Sequence, residues 1–215
     1  GNKIEHIHSF PIEQINIGGI WTRCTRYVFG LQSGWPRGHQ AGTVMAMAAI
    51  GDENKYKNDF LRMLGQDLNQ ASRRAPGQPT GANLGNDPPH PYLDKWAKLA
   101  KTSKKEAFNL AAGLQVATEE YLKSLLSDIL QQVGDTKNIC LSGGVVLNSV
   151  AVGKMFDWFP QIEEIYITPT PHDGGLAIGA AQYLWHQVLD NPRIKWEDNF
   201  TPYLGFKYSN IQETL

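Results

Sequence analysis

Little cysteine, no long apolar run and almost no net charge mark this chain, and each shortage removes a class of protein. Two cysteines in 215 residues, Cys24 and Cys140, are too few and too far apart for a disulfide scaffold or a zinc site. Free thiols in a reducing, cytoplasmic compartment are the expectation, with a single disulfide as the alternative. Lys and Arg total 20 against 21 Asp and Glu, so no global field draws the chain to nucleic acid or to an anionic membrane. The longest apolar stretches, Val44 to Ile50 and Leu176 to Trp185, fall short of the roughly 20 residues a bilayer span needs. The start, Gly1-Asn2-Lys3-Ile4-Glu5-His6, has neither a signal-peptide core nor an initiator methionine and reads as a piece of a longer protein. What the chain does contain, 41% apolar and 10% aromatic residues, suits one globular domain whose partner is a small molecule.

Ile17 to Gly30 and Ala41 to Gly51 read as two short helices on either side of the break Ser33-Gly34-Trp35-Pro36-Arg37-Gly38. Residues 72 to 92 hold five prolines and three glycines with neither helical nor strand period, which predicts a long irregular loop. From Ala107 the pattern changes. Leu110, Ala111, Leu114, Ala117, Tyr121, Leu122, Leu125, Ile129 and Val133 recur every three or four positions and predict a long amphipathic helix ending near Gly134 and covering a sheet. Asn138 to Ser142 then reads as a strand, Gly143-Gly144 as a turn and Val145 to Trp158 as a helix. The unit repeats, with strand Glu164 to Thr168, turn Pro169 to Gly175 and helix Leu176 to Leu189. Two such units predict an α/β layer with both glycine turns at the carboxyl edge of the strands, where open α/β sheets bind ligands.

Ser142-Gly143-Gly144 lets a ligand approach the backbone and aims amide N–H groups at it, which favours an anion; a plain tight turn is the alternative. It matches neither the GxxxxGK[ST] phosphate loop nor GxGxxG. Asn148 is placed to turn an amide towards the same mouth, or else to sit in solvent. Asp173 is placed to cap the next helix or to ligate a metal bridging phosphates. His172 is a second ligand, an acid or base, or merely solvated. Gly175 and Gly179, four apart, are assigned to close packing of helix on strand.

The run from Asn138 through Asn148 to Ala151, followed by Ile167-Thr-Pro-Thr-Pro-His-Asp173-Gly-Gly-Leu-Ala-Ile-Gly-Ala-Ala181, resembles the signature of O-carbamoyltransferases of the nodulation and antibiotic-tailoring type. Ile17 to Gly30, Val44 to Gly51 and Pro202-Tyr-Leu-Gly205 are similar to further blocks of that family in the same order. The resemblance implies the C-terminal lobe of an actin-like ATPase (ribonuclease H-like) domain, a mixed sheet flanked by helices. Residues 1 to 215 would be one partial domain, with 190 to 215 a tail towards a second domain.

It also implies a reaction: a carbamoyl group from carbamoyl phosphate, activated with ATP as carbamoyl-adenylate, passes to an acceptor hydroxyl. Gly143, Gly144, Asn148, Gly174 and Gly175 would contact the nucleotide and Asp173 would hold a divalent metal, Fe or Mg. The family's Glu-x-Lys is Ala41-Gly42-Thr43 here, the asparagine of its "VANGK" is Val152, and its HxxxH pair has no counterpart in this chain. Those departures favour, as the alternative, a degenerate nucleotide-binding or scaffolding module without transfer activity. A sugar-kinase-like phosphotransferase is a third reading. A lobe without its partner is expected to be inactive alone and to self-associate through an exposed apolar face.

Overall fold

The computed structural model describes residues 4–9, 17–32, 39–65 and 91–193. The break at 33 to 38, the loop at 72 to 90 and the tail from 194 fall outside the described residues. Two layers organise the rest: a helical layer built around one long helix, and a small parallel sheet at that helix's far end.

The two short helices form where the sequence places them, α1 (Ile17–Arg23), continued by a π-helical turn Cys24–Val28, and α2 (Ala41–Ala48). α3 (Lys57–Gly65) and α4 (Pro91–Thr102) follow. α4 starts two residues inside the segment read as irregular loop. Pro91 is the reason: at a first helical position its missing N–H costs nothing and its fixed φ suits the helix.

α5 (Lys104–Val133) is the hub, packing against α2, α3 and α4. Ser103 Oγ caps it by accepting Glu106 N–H, and Gly134, at φ 81°, closes it by donating its N–H to Leu130 O. Residues 109–115 are buried all round the helix because other helices surround that half. Leu110 and Leu114 sit with Phe60, Leu64, Trp96 and Val28 in the main core. Beyond Tyr121 the inward face drifts. Leu126 and Leu130, rather than Leu125 and Ile129, pack on Met155, Phe159, Ile139 and Ile165 in a second core. So α5 covers the sheet with its carboxyl half alone, while its amino half belongs to the helical layer.

β1 (Asn138–Leu141) and β2 (Glu164–Ile167) pair in parallel, Ile139 opposite Ile165 and Leu141 opposite Ile167. Of the expected mixed sheet the described residues hold two strands, and these run the same way, as a βαβ crossover requires. The predicted helix Val145 to Trp158 is corrected. It divides into a 3₁₀ turn Gly144–Leu147, α6 (Ser149–Gly153) and α7 (Met155–Trp158), because Asn148 leaves helical geometry at ψ 82° to cap α6. After β2 come a 3₁₀ turn Asp173–Gly175, α8 (Leu176–Tyr183) and a π turn Leu184–Val188. This last unit exposes Leu176, Ile178, Tyr183, Leu184, Trp185, Val188 and Leu189, and β2 exposes Tyr166. No described helix is long and apolar enough to cross a membrane.

Both thiols are free, Cys24 buried and Cys140 exposed, and burial pushes the Cys24 thiol up to about 12. Gly51 and Gly113 allow the approach of α5 to its neighbours: a Cβ on Gly51 would lie 2.0 Å from Phe108 O, and one on Gly113 2.9 Å from Tyr56 Cβ.

Glu106 ties α5 to the segment before α3, accepting from Lys55 Nζ and from the Tyr56 hydroxyl. These hydrogen bonds, Lys55 first, hold its carboxyl below its usual 4.5. A depressed carboxyl stabilises the fold above its unfolded value and loses that effect as pH falls through the folded one. Burial and the bond to Glu106 raise the Tyr56 phenol to about 12, so its contribution, complete below pH 10, fades between about 10 and 12. The urea midpoint is expected to fall on acidification below about pH 4.5, and Glu106→Gln to flatten that slope. Identical slopes for both proteins would assign acid unfolding to other carboxylates.

Candidate functional site

Parallel pairing carries β1 and β2 out at the same edge, so the turns that follow them meet there. Gly143 N–H donates to Pro171 O at 2.6 Å and Ser142 Oγ to the same oxygen at 3.3 Å, joining the two turns directly. Gly143 stands at φ 107°, ψ 155°, a region kept for glycine. Among the described residues a Cβ on Gly143 or Gly144 would meet nothing within 4 Å. The 3₁₀ turn begins here, and its first N–H groups, on Gly144 and Val145, donate to no backbone carbonyl among the described residues.

The second turn differs. Gly174 N–H donates to His172 Nδ1, Gly175 N–H to His172 O and Leu176 N–H to Asp173 O, so its amides serve the fold. His172 Nδ1, rather than Asp173, caps this turn. An acceptor Nδ1 puts the ring proton of the neutral imidazole on Nε2. The Asp173 side chain is exposed at the start of α8. Gly175 is a packing glycine, as expected, but against its own turn: a Cβ would lie 2.2 Å from Thr170 O. Among the described residues a Cβ on Gly179 would meet nothing within 4 Å, so no described strand packs there.

Asn148 is not at the mouth. It is 6% exposed, its Nδ2 donates to Gln115 Oε1 at 3.0 Å, and its Oδ1 accepts from Gln115 Nε2 and Ala151 N–H. Gln115 also donates to Glu119 Oε1, and Glu119 Oε2 accepts from Lys154 Nζ at 2.6 Å. Sequence reasoning passed over Gln115 and Glu119. Their signal was there, two polar side chains one helical turn apart inside a stretch otherwise carrying Leu114, Ala117 and Thr118.

Among the described residues no three His, Cys, Asp or Glu side chains gather to hold a metal ion. Asp173 is one carboxylate beside open backbone. That suits Mg²⁺, which takes one or two carboxylates plus phosphates and waters, better than iron, which draws several protein ligands. Of the departures from the family pattern, Val152 packs in the second core and Ala41 against the first. A groove lined by Leu130, Gly134, Lys137, Trp158 and Phe159 lies at the opposite, amino end of the strands.

Residues 3–182 match the family described as Carbamoyltransferase N-terminus. The chain belongs to this carbamoyltransferase family. It is 25% identical to the nodulation protein NolO of Bradyrhizobium diazoefficiens over 84% of its own length and 30% of that protein's. An uncharacterized protein of Synechocystis is 38% identical over 47% of this chain and 17% of its own. One from Methanocaldococcus jannaschii is 31% identical over 55% of this chain and 18% of its own. The chain thus spans less than a third of each of these relatives. No solved structure matches it. Both glycine turns, from Gly143 to Gly175, fall inside the stretch that matches the carbamoyltransferase family.

Proposed function

We propose that this chain is the nucleotide-binding part of an ATP-dependent O-carbamoyltransferase, the C-terminal lobe of an actin-like domain. The observation that carries the reading is the joined pair of turns, with Gly143 donating to Pro171 O and no described residue within 4 Å of a Cβ on Gly143 or Gly144. Family membership supplies the reaction class. The acceptor hydroxyl oxygen bonds to the carbamoyl carbon, the bond from that carbon to the adenylate phosphate oxygen breaks, and AMP leaves with the electron pair. The hydroxyl proton passes to a base. With Nδ1 accepting from Gly174 N–H, the neutral His172 imidazole carries its ring proton on Nε2 and is not the base that takes the hydroxyl proton.

In this reading the Gly144 and Val145 amides receive phosphate oxygens, as backbone donors at a fixed turn do for developing negative charge. Asp173 would hold Mg²⁺, which would supply positive charge to neutralise the phosphate leaving group. Carbamoyl phosphate and the hydroxyl acceptor are the co-substrates.

The test is calorimetric titration of ADP or ATP with Mg²⁺ into this chain and Asp173→Ala. Metal-dependent binding is expected, weakened about tenfold or more in the variant. Binding that ignores both metal and Asp173 would remove Asp173 from the site. Asn148 engaged with Gln115, and Gly175 set against Thr170 O, favour the second reading, a module of this family that has lost transfer chemistry. No binding to this chain or to any longer polypeptide carrying it would establish that reading.

The exposed apolar run from Leu176 to Leu189 predicts self-association. Light scattering is expected to show a mass rising with concentration, and Leu184→Glu with Val188→Glu to lower it. A constant monomer mass at high concentration would mean that this face stays solvated.

A further inference from the structure

Every hydrogen-bonding group of the buried Gln115 carboxamide is engaged. Its oxygen accepts from Asn148 Nδ2 at 3.0 Å, and its nitrogen donates to Asn148 Oδ1 at 3.1 Å and to Glu119 Oε1 at 2.7 Å. The two amides form a closed, two-bond pair between α5 and the far end of the first glycine turn, 33 residues apart in sequence. From there the network reaches both ends of α6, through Asn148 Oδ1 to Ala151 N–H and through Glu119 to Lys154.

We propose that Gln115 is a positioning residue: it fixes the conformation of the turn from Gly143 to Asn148, and with it the direction of the Gly144 and Val145 amides. Only the ligand side of this inference rests on the nucleotide reading above. Two adjacent glycines have many accessible conformations, so the turn needs anchoring at both ends. The near end is held by Gly143 N–H on Pro171 O; within the turn Val146 N–H reaches Gly143 O and Asn148 N–H reaches Val145 O. The far end is held by Asn148, and Gln115 holds Asn148. The residue type follows from the partners. A carboxamide accepts from Asn148 while donating to Asn148 and Glu119. Glutamate in its place would lose both donors and face Glu119, and an aliphatic side chain would orphan buried groups on both partners.

The test compares the full 215-residue chain with Gln115→Met and Gln115→Glu by amide hydrogen exchange. Val146, Asn148 and Ala151 report the turn, and Leu114 in α5 is the internal reference. Exchange at the three turn amides is expected to rise about tenfold or more, with the reference within about twofold, because one network of net hydrogen bonds is lost locally. In the same proteins the ADP–Mg²⁺ dissociation constant is expected to weaken about tenfold. Should either variant fail to fold, Asn148→Asp keeps the Ala151 cap and an acceptor for Gln115 Nε2 while losing the Nδ2 donor, and a smaller acceleration confined to the same amides is expected.

Unchanged exchange in a folded variant overturns the proposal. So does uniform acceleration that includes the reference, which is the mark of a merely structural residue, and so does a loosened turn with unaltered affinity. If neither the unsubstituted chain nor a longer polypeptide carrying it binds ADP, the nucleotide reading falls while the exchange data still decide the role of Gln115.

Discussion

Replacing Trp96 by alanine lowers the free energy of unfolding by about 3–5 kcal/mol, seen as a shift of the urea midpoint with unchanged slope. Trp96 is 2% exposed and lies on α4, which packs against both α5 and the π turn after α1. Its ring meets that of Phe60 with centroids 4.3 Å apart and planes tilted by 36°, so truncation removes an aromatic pair as well as apolar burial. The vacated volume cannot close easily. Leu64, Leu110, Leu114 and Val28 are already packed in the same core, and interiors at crystal-like density relax only in part. Trp185→Ala is the control. That ring is 43% exposed, and its loss is expected to cost less than about 0.5 kcal/mol. If both substitutions cost the same, the helical layer is not the stabilising core of the chain.

Gly143→Ala is expected to cost about 1–3 kcal/mol and to weaken ADP–Mg²⁺ binding more than about tenfold. The stability loss has one source. Among the described residues a Cβ at this position meets nothing within 4 Å, so it is the backbone at φ 107° that resists a side chain. Gly153→Ala separates that cause from a general effect of alanine. Gly153 ends α6 without a positive φ and also has open space around it, so alanine there is expected to stabilise by about 0.4–1 kcal/mol through the unfolded state. Opposite signs for two substitutions ten residues apart would be hard to produce any other way. A Gly143→Ala protein that binds ADP as tightly as its parent would show that the turn's shape does not set affinity.

Much of the fold is legible in the sequence. The long helix is delimited by Ser103 and Gly134, residues whose capping chemistry acts within one turn of chain, and its start and end fall close to the predicted ones. Strands at Asn138–Leu141 and Glu164–Ile167 follow from local β-branched and aromatic content. The ordered blocks that carry the resemblance lie largely within the stretch that matches the carbamoyltransferase family, residues 3–182. Pattern reading failed where a side chain had two local options and a distant residue chose between them. Val145 to Trp158 has helical composition, yet Asn148 breaks it, because its amide finds Gln115 on α5. Periodicity gave Leu125 and Ile129 the inward face; the sheet under the carboxyl half of α5 takes Leu126 and Leu130.

The sequence by itself determined the family, the two β-turn-α units and the glycine turns, since these depend on residues that are neighbours along the chain and on φ values only glycine holds cheaply. Tertiary structure alone decided which candidate side chains stay free for a ligand. It drew Asn148 into the core with Gln115, set Gly175 against Thr170 O, engaged the amides of the second turn with His172 and Asp173, packed the Val145 side chain on the main core, and left Gly144 and the Asp173 side chain exposed. The physical reason is that a buried polar group must find a partner wherever the fold brings one, and that partner is fixed by packing between segments far apart in sequence.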